Sequence, residues 1–170
     1  MGMRYRLDVI LALLALVAAV MLFVTPYVSP EGSFIHLDGS PGTIDHIDLW
    51  QSTDIISGFT YLVGDLFCTQ MESRSIILNG SQMAFCSRDV SILMGFIIGS
   101  VISMIGLINI RRREAGILCI ISFALMMVDW AVQHFADIDF MASRMVTGAL
   151  FGASVALLAG AYSKYLLSVK

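Results

Sequence analysis

Hydrophobic positions along this chain gather into four long runs, separated by polar segments of very unequal length. Residues 9–24 are uninterrupted apolar sequence, and the character continues through Thr25, Pro26, Tyr27 and Val28. About 20 apolar residues cross the hydrocarbon of a bilayer, so residues 1–28 predict a first transmembrane helix. No small-x-small cleavage pattern follows it that would mark a secretory leader. Residues 90–110 carry no charge and predict a second span, ended abruptly by Arg111, Arg112 and Arg113. Residues 115–135 predict a third, apolar except for Asp129, Gln133 and His134 near its end. Residues 144–163 predict a fourth, entered at Arg144 and closed by Lys164 and Lys170.

Residues 29–89 are polar by comparison. Their first part has turn chemistry from Asp38 to Gly42 between short apolar runs, which suits a small hairpin or an irregular loop. Residues 53–67 then place Ile55, Ile56, Phe59, Leu62, Val63, Leu66 and Phe67 on one helical face, with Asp54, Ser57, Tyr61, Gly64 and Asp65 opposite. This segment is too short and too acidic to span. It predicts an amphipathic helix lying on the outer leaflet or on top of the bundle. Asn79-Gly80-Ser81 reads both as a glycosylation acceptor and as a turn, and the Asn-Gly pair favours the turn.

Small residues recur every four positions in two spans: Ser91, Gly95, Gly99 and Ser103 in the second, Gly148, Gly152, Ala156 and Gly160 in the fourth. Lipid supplies no hydrophobic force between helices, so such ridges serve close backbone approach. The second and fourth spans are expected to pack together, with a homo-oligomer or larger membrane complex as the other use of these faces.

Composition agrees with the pattern. The chain is 58% apolar and 14% charged, with mean hydropathy +0.84, which excludes an ordinary soluble domain. The net charge of -3 hides an asymmetry. The segment 29–89 holds eight acids against Arg74 and Arg88, whereas Arg4, Arg6, the triple arginine and the terminal lysines flank the spans. Cytoplasmic loops carry the excess of Lys and Arg. Four spans satisfy every basic flank at once, with both termini cytoplasmic in a cell membrane. The expected fold is therefore an all-α membrane protein of four transmembrane helices, its segment 29–89 forming an extracytoplasmic cap.

On this topology the polar residues fall at one membrane level. Cys68, Gln70, Arg74, Gln82, Cys86, Arg88 and Asp89 precede or open the second span. Asp129 and Gln133 share a face near the end of the third, and Arg144 begins the fourth. Charges at such depth pair or bind something. One reading is ion pairing, Arg144 with Asp129 and Arg88 with Asp89 or Asp65. The other is an outward-facing site for an anionic ligand such as a lipid phosphate. There Arg74, Arg88 and Arg144 would clamp, Gln70, Gln82 and Gln133 would add hydrogen bonds, and Asp89 and Asp129 would serve as orienting or acid/base groups. Cys68 and Cys86 enclose 17 residues, a loop whose closure by a disulfide would contribute about 3 kcal/mol. Alternatively Cys68, Cys86 and Asp89 hold a metal, zinc being the candidate cofactor, or the cysteines form a redox pair without the usual Cys-x-x-Cys spacing. No spacing demands a cofactor. Cys119 reads as an apolar packing residue. Transport through Asp129 would leave polar residues in the cytoplasmic halves of the spans, where only Ser103, Asn109 and Ser122 occur. A structural or assembly subunit remains a further reading. Membrane lipids are the expected partners; nothing points to nucleic acid.

The stretch Cys68-Thr69-Gln70, Arg74-Ser75, Asn79-Gly80-Ser81-Gln82 and Cys86-Ser87-Arg88-Asp89 resembles the hallmark of a prokaryotic family of small membrane proteins, domain-of-unknown-function family 2085. That hallmark runs roughly Cys-His-Gln, Arg-Ser-Phe, a Gly and a Gln, then Cys-Ala-Arg-Cys or Cys-Ala-Arg-Asp. Asp129 with Gln133, and Arg144 with Thr147-Gly148, are similar to its later pieces. The resemblance covers about residues 67–160 and implies fold and site position, not a reaction. Relatives that keep Cys, His, Cys and Cys have the donors of a tetrahedral metal site. Here Thr69 replaces the histidine and Asp89 the last cysteine.

Overall fold

The computed structural model describes residues 7–40 and 42–168, and side chains through residue 166. Arg4, Arg6 and Lys170, counted among the basic flanks, and Pro41, within the expected turn, lie outside the described residues. The elements are α1 (Leu7–Val28), α2 (Ile47–Ser52), α3 (Ile55–Phe67), a 3-10 turn (Glu72–Arg74), β1 (Ser75–Leu78), β2 (Ser81–Cys86), α4 (Ser87–Met104), α5 (Arg112–Phe135) and α6 (Met141–Ser168). They divide into a loop unit, residues 18–90, and a helical unit, residues 7–17 with 91–168.

Four helices are long and apolar enough to cross a membrane among the described residues: α1, α4, α5 and α6. At 1.5 Å per residue they extend about 27–42 Å, against hydrocarbon about 30 Å thick. Large apolar side chains such as Leu13, Leu14, Val17, Ile120, Val128 and Val132 lie exposed along them, as contact with lipid requires. The chain is an all-α membrane protein carrying one small two-stranded hairpin.

Within the helical unit, α4 and α6 meet through their small-residue ridges. A methyl group added at Gly95 would overlap the Ala149 carbonyl, and one at Gly152 would overlap the Ile92 carbonyl. The two backbones are therefore in direct contact, as the spacing predicts. Between α5 and α6, the Phe123 and Phe151 rings meet at a tilt with centroids 5.5 Å apart and the Ser122 and Ser154 hydroxyls share a 2.7 Å hydrogen bond. Asp8, buried in the first turn of α1, accepts from Ser163 Oγ at 2.9 Å. The second apolar run, read as 90–110, is helical only to Met104. Gly106, at φ +70, turns the chain, and the Leu107 and Gly106 N–H groups close back onto Ile102 and Ser103, the double closure that ends many helices.

The loop unit is built around Phe34, Trp50 and Tyr61, with Trp50 stacked on Tyr61 at 5.4 Å and Phe34 tilted against Tyr61 at 4.0 Å. Asp65 is fully buried beneath them. One of its oxygens accepts from Trp50 Nε1 at 2.9 Å and from the Asp45 and His46 N–H groups at 3.0 Å each. A buried carboxylate is tolerable only with such donors. α3 thus turns the face bearing Ser57, Gly58, Thr60, Tyr61, Gly64 and Asp65 inward. Its apolar face is outside, with Ile55 90% and Phe67 67% exposed. The hairpin considered for the first part of the loop is replaced by irregular chain and the short α2.

Candidate thiol and carboxylate site

Cys68 ends α3, its N–H closing onto the Gly64 carbonyl at 2.8 Å. Gly64 is needed there because any Cβ would collide with the Ala84 carbonyl of β2. Two residues on, Gln70 takes φ 49 and reverses the chain. It is fully buried, and its Nε2 donates to the Tyr61 and Ala84 carbonyls at 3.3 and 3.0 Å. Gln82 completes the splice: Nε2 donates to the Gln70 and Leu37 carbonyls at 2.8 and 3.3 Å, and Oε1 accepts from the Leu37 N–H at 2.8 Å. The Tyr61 hydroxyl donates to the Gln82 carbonyl. Gln70 and Gln82, two of the three glutamines predicted to meet a ligand, direct these groups to the backbone and fix the loop.

The hairpin then returns the chain. Asn79 and Gly80, both at positive φ, make the two-residue turn between Leu78 and Ser81, the geometry that Asn-Gly favours because its twist matches the strands. The pairing sets Cys86 opposite Ser75 and beside Cys68. The Cys86 N–H donates to Cys68 Sγ at 3.2 Å, and the Cys86 thiol donates to Asp89 Oδ2 at 3.0 Å. The two sulphurs and an Asp89 carboxylate oxygen all lie within 4.8 Å of one another. All three cysteines are free thiols in the structure. The Cys86 side chain beside it holds the Cys68 thiol below the usual thiol range. Cys86 is itself pushed far up, first by its contact with Cys68, then by burial and by the Asp89 carboxylate. One proton is thus easily lost from the pair and the second is hard to remove.

Arg74, at the end of the 3-10 turn, and Arg88, in the first turn of α4, are half-buried in the loop unit. The remaining predicted residues belong to the helical unit. Gln133 Nε2 donates to Asp129 Oδ1 and to Ser143 Oγ, each at 2.9 Å, while its Oε1 accepts from the Phe140 N–H at 3.2 Å. Thr147 Oγ1 reaches Asp129 Oδ2 at 3.4 Å. Buried Arg144 pairs with Asp139 from the α5–α6 connection. Asp65, offered by the sequence as an ion-pair partner for Arg88, serves instead as the buried acceptor for Trp50 and the Asp45 and His46 N–H groups. Its one signal was an acid amid apolar neighbours, downstream of a tryptophan needing an acceptor.

The family model described as "Predicted membrane protein (DUF2085)" matches residues 68–158. The match begins on Cys68 and includes Cys86, Asp89, Asp129, Gln133 and Arg144. No curated protein and no solved structure matches the chain.

Proposed function

This chain belongs to the DUF2085 family of predicted membrane proteins, and on that premise we propose that it carries a binding centre for a soft divalent cation, zinc being the type, on Cys68, Cys86 and Asp89. The observation that carries the reading is the meeting of two thiols and a carboxylate within 4.8 Å. Ligand atoms at about 2.0–2.3 Å from a tetrahedral zinc stand roughly 3.3–3.8 Å apart, so only a small closure is required. Thiolate is the form that binds metal; Cys68 is the readier of the two to supply it, and Cys86 has to lose its proton as the metal binds. Gln70, Gln82 and Gly64 supply the rigid support that a metal site needs around its ligands. Three protein donors leave a fourth position for water or an incoming ligand.

The proposed orientation places both termini in the cytoplasm and the loop unit outside, following the basic residues at 111–113 and 164. A second reading has support from the same geometry: on an oxidising outer side, adjacent Cys68 and Cys86 would form a disulfide. The anion clamp of Arg74, Arg88 and Arg144 draws on both units, and Arg144 already pairs with Asp139, so it carries less.

Metal analysis of the full-length protein purified without chelator, together with thiol titration before and after reduction, tests the proposal. The expected result is about one zinc per chain, lost in Cys68→Ser and Cys86→Ser. No metal, with two thiols appearing only on reduction, would establish the disulfide instead.

A further inference from the structure

In the helical unit, a cavity of about 700 Å³ opens where α4 gives way to α5 and α6 nears its end. Arg111, Arg112, Arg113, Lys164, Asn109 and Tyr165 line it, and none of its lining residues is acidic. The nearby carboxylate of Glu114 is held on the Arg111 backbone N–H at 3.1 Å. Arg112 is exposed yet held on aromatic rings: its guanidinium carbon lies 3.4 Å from the centroid of the Tyr165 ring and 5.8 Å from that of Tyr162. Such stacking fixes the planar fork and leaves its N–H edge available. The first turn of the 24-residue α5 begins at the same place, and the positive end of its dipole favours an anion.

Orientation in the membrane needs basic residues at this end of the spans, but counting charges makes no demand that they line a cavity or lie on tyrosines. We infer that this cavity binds a phosphate group, and that the source is the headgroup of an anionic phospholipid. The cavity is much larger than one phosphate and sits at the ends of spanning helices, where basic pockets and aromatic rings meet headgroups. The site is separate from the thiol centre and stands without it.

The test uses the full-length protein in neutral detergent, with thermal unfolding and native mass spectrometry as readouts. The probes are phosphatidylglycerol, phosphatidylcholine and inorganic phosphate. Phosphatidylglycerol should stabilise the protein and remain bound, phosphatidylcholine should not, and Arg112→Gln with Lys164→Gln should weaken binding at least tenfold. Arg112→Lys keeps the charge and is indifferent for orientation, yet should also weaken binding because the stacked fork is lost. Stabilisation by inorganic phosphate with no preference for phosphatidylglycerol would keep the phosphate chemistry and assign the cavity to a soluble phosphate compound. Equal effects of both lipids, or unchanged phosphatidylglycerol binding in Arg112→Gln/Lys164→Gln, would overturn the inference.

Discussion

Asp65 shows how much one buried carboxyl group organises. Three N–H donors converge on its carboxylate, so Asp65→Ala strands the Trp50 indole and two backbone groups at once. Each stranded group costs about 1–3 kcal/mol, and the loop unit is expected to lose order, read as lost tryptophan anisotropy and increased proteolysis of residues 30–90. Asp54 acts more gently at the start of α3, accepting from Ser57 N–H at 2.9 Å and Ser29 Oγ at 3.1 Å. The Ser57 side chain first, then the Ser57 N–H and Ser29, lower its pKa. A lowered folded pKa means stability present above the unfolded value near 3.9 and lost as pH falls through the folded one. Asp54→Ala should cost about 1 kcal/mol at neutral pH, and the gap from the parent should close in acid, as thermal unfolding against pH will show. At the thiol centre, Asp89→Cys restores the third sulphur of the family hallmark. Thiolate is the softer ligand, so zinc competition with a chromophoric chelator should show at least tenfold tighter binding.

At the scale of elements, the four spans were legible because a long uncharged run has few other uses. So was the α4–α6 contact, because small residues every four positions have one strong meaning in lipid. Gly95→Leu and Gly152→Leu should each cost about 1–3 kcal/mol through overpacking and lower the unfolding temperature in detergent, while exposed Leu150→Ala should change little. Periodicity also named both faces of α3. It left open which one turns inward, since the answer lies with partners far along the chain. Thr25 on the first helix, Ser29 just beyond it, Trp50, and Gln82 on β2 receive the polar face. The apolar face stays out, which a helix lying in a membrane surface requires. Cys68 and Cys86 were read as partners from the 17-residue loop between them; in the structure they are neighbouring free thiols, brought together by the hairpin that turns at Asn79-Gly80. The role of Gln70 was not, since it depends on a left-handed backbone and on carbonyls of two other elements.

For the whole molecule, the proposed orientation predicts opposite labelling of two exposed positions. In intact cells a membrane-impermeant maleimide should label Glu72→Cys above the parent background and Leu107→Cys only after permeabilisation; the reverse pattern would invert the topology. The loop unit would then present its thiol centre outside, while the basic cavity would face the cytoplasmic leaflet. The metal proposal is tested most directly by zinc K-edge absorption of the zinc-loaded full-length protein. It predicts two sulphurs at about 2.3 Å and oxygen or nitrogen ligands near 2.0 Å, with the sulphur signal lost in Cys68→Ser/Cys86→Ser. A zinc shell of oxygen and nitrogen alone, or no stoichiometric zinc, would contradict it.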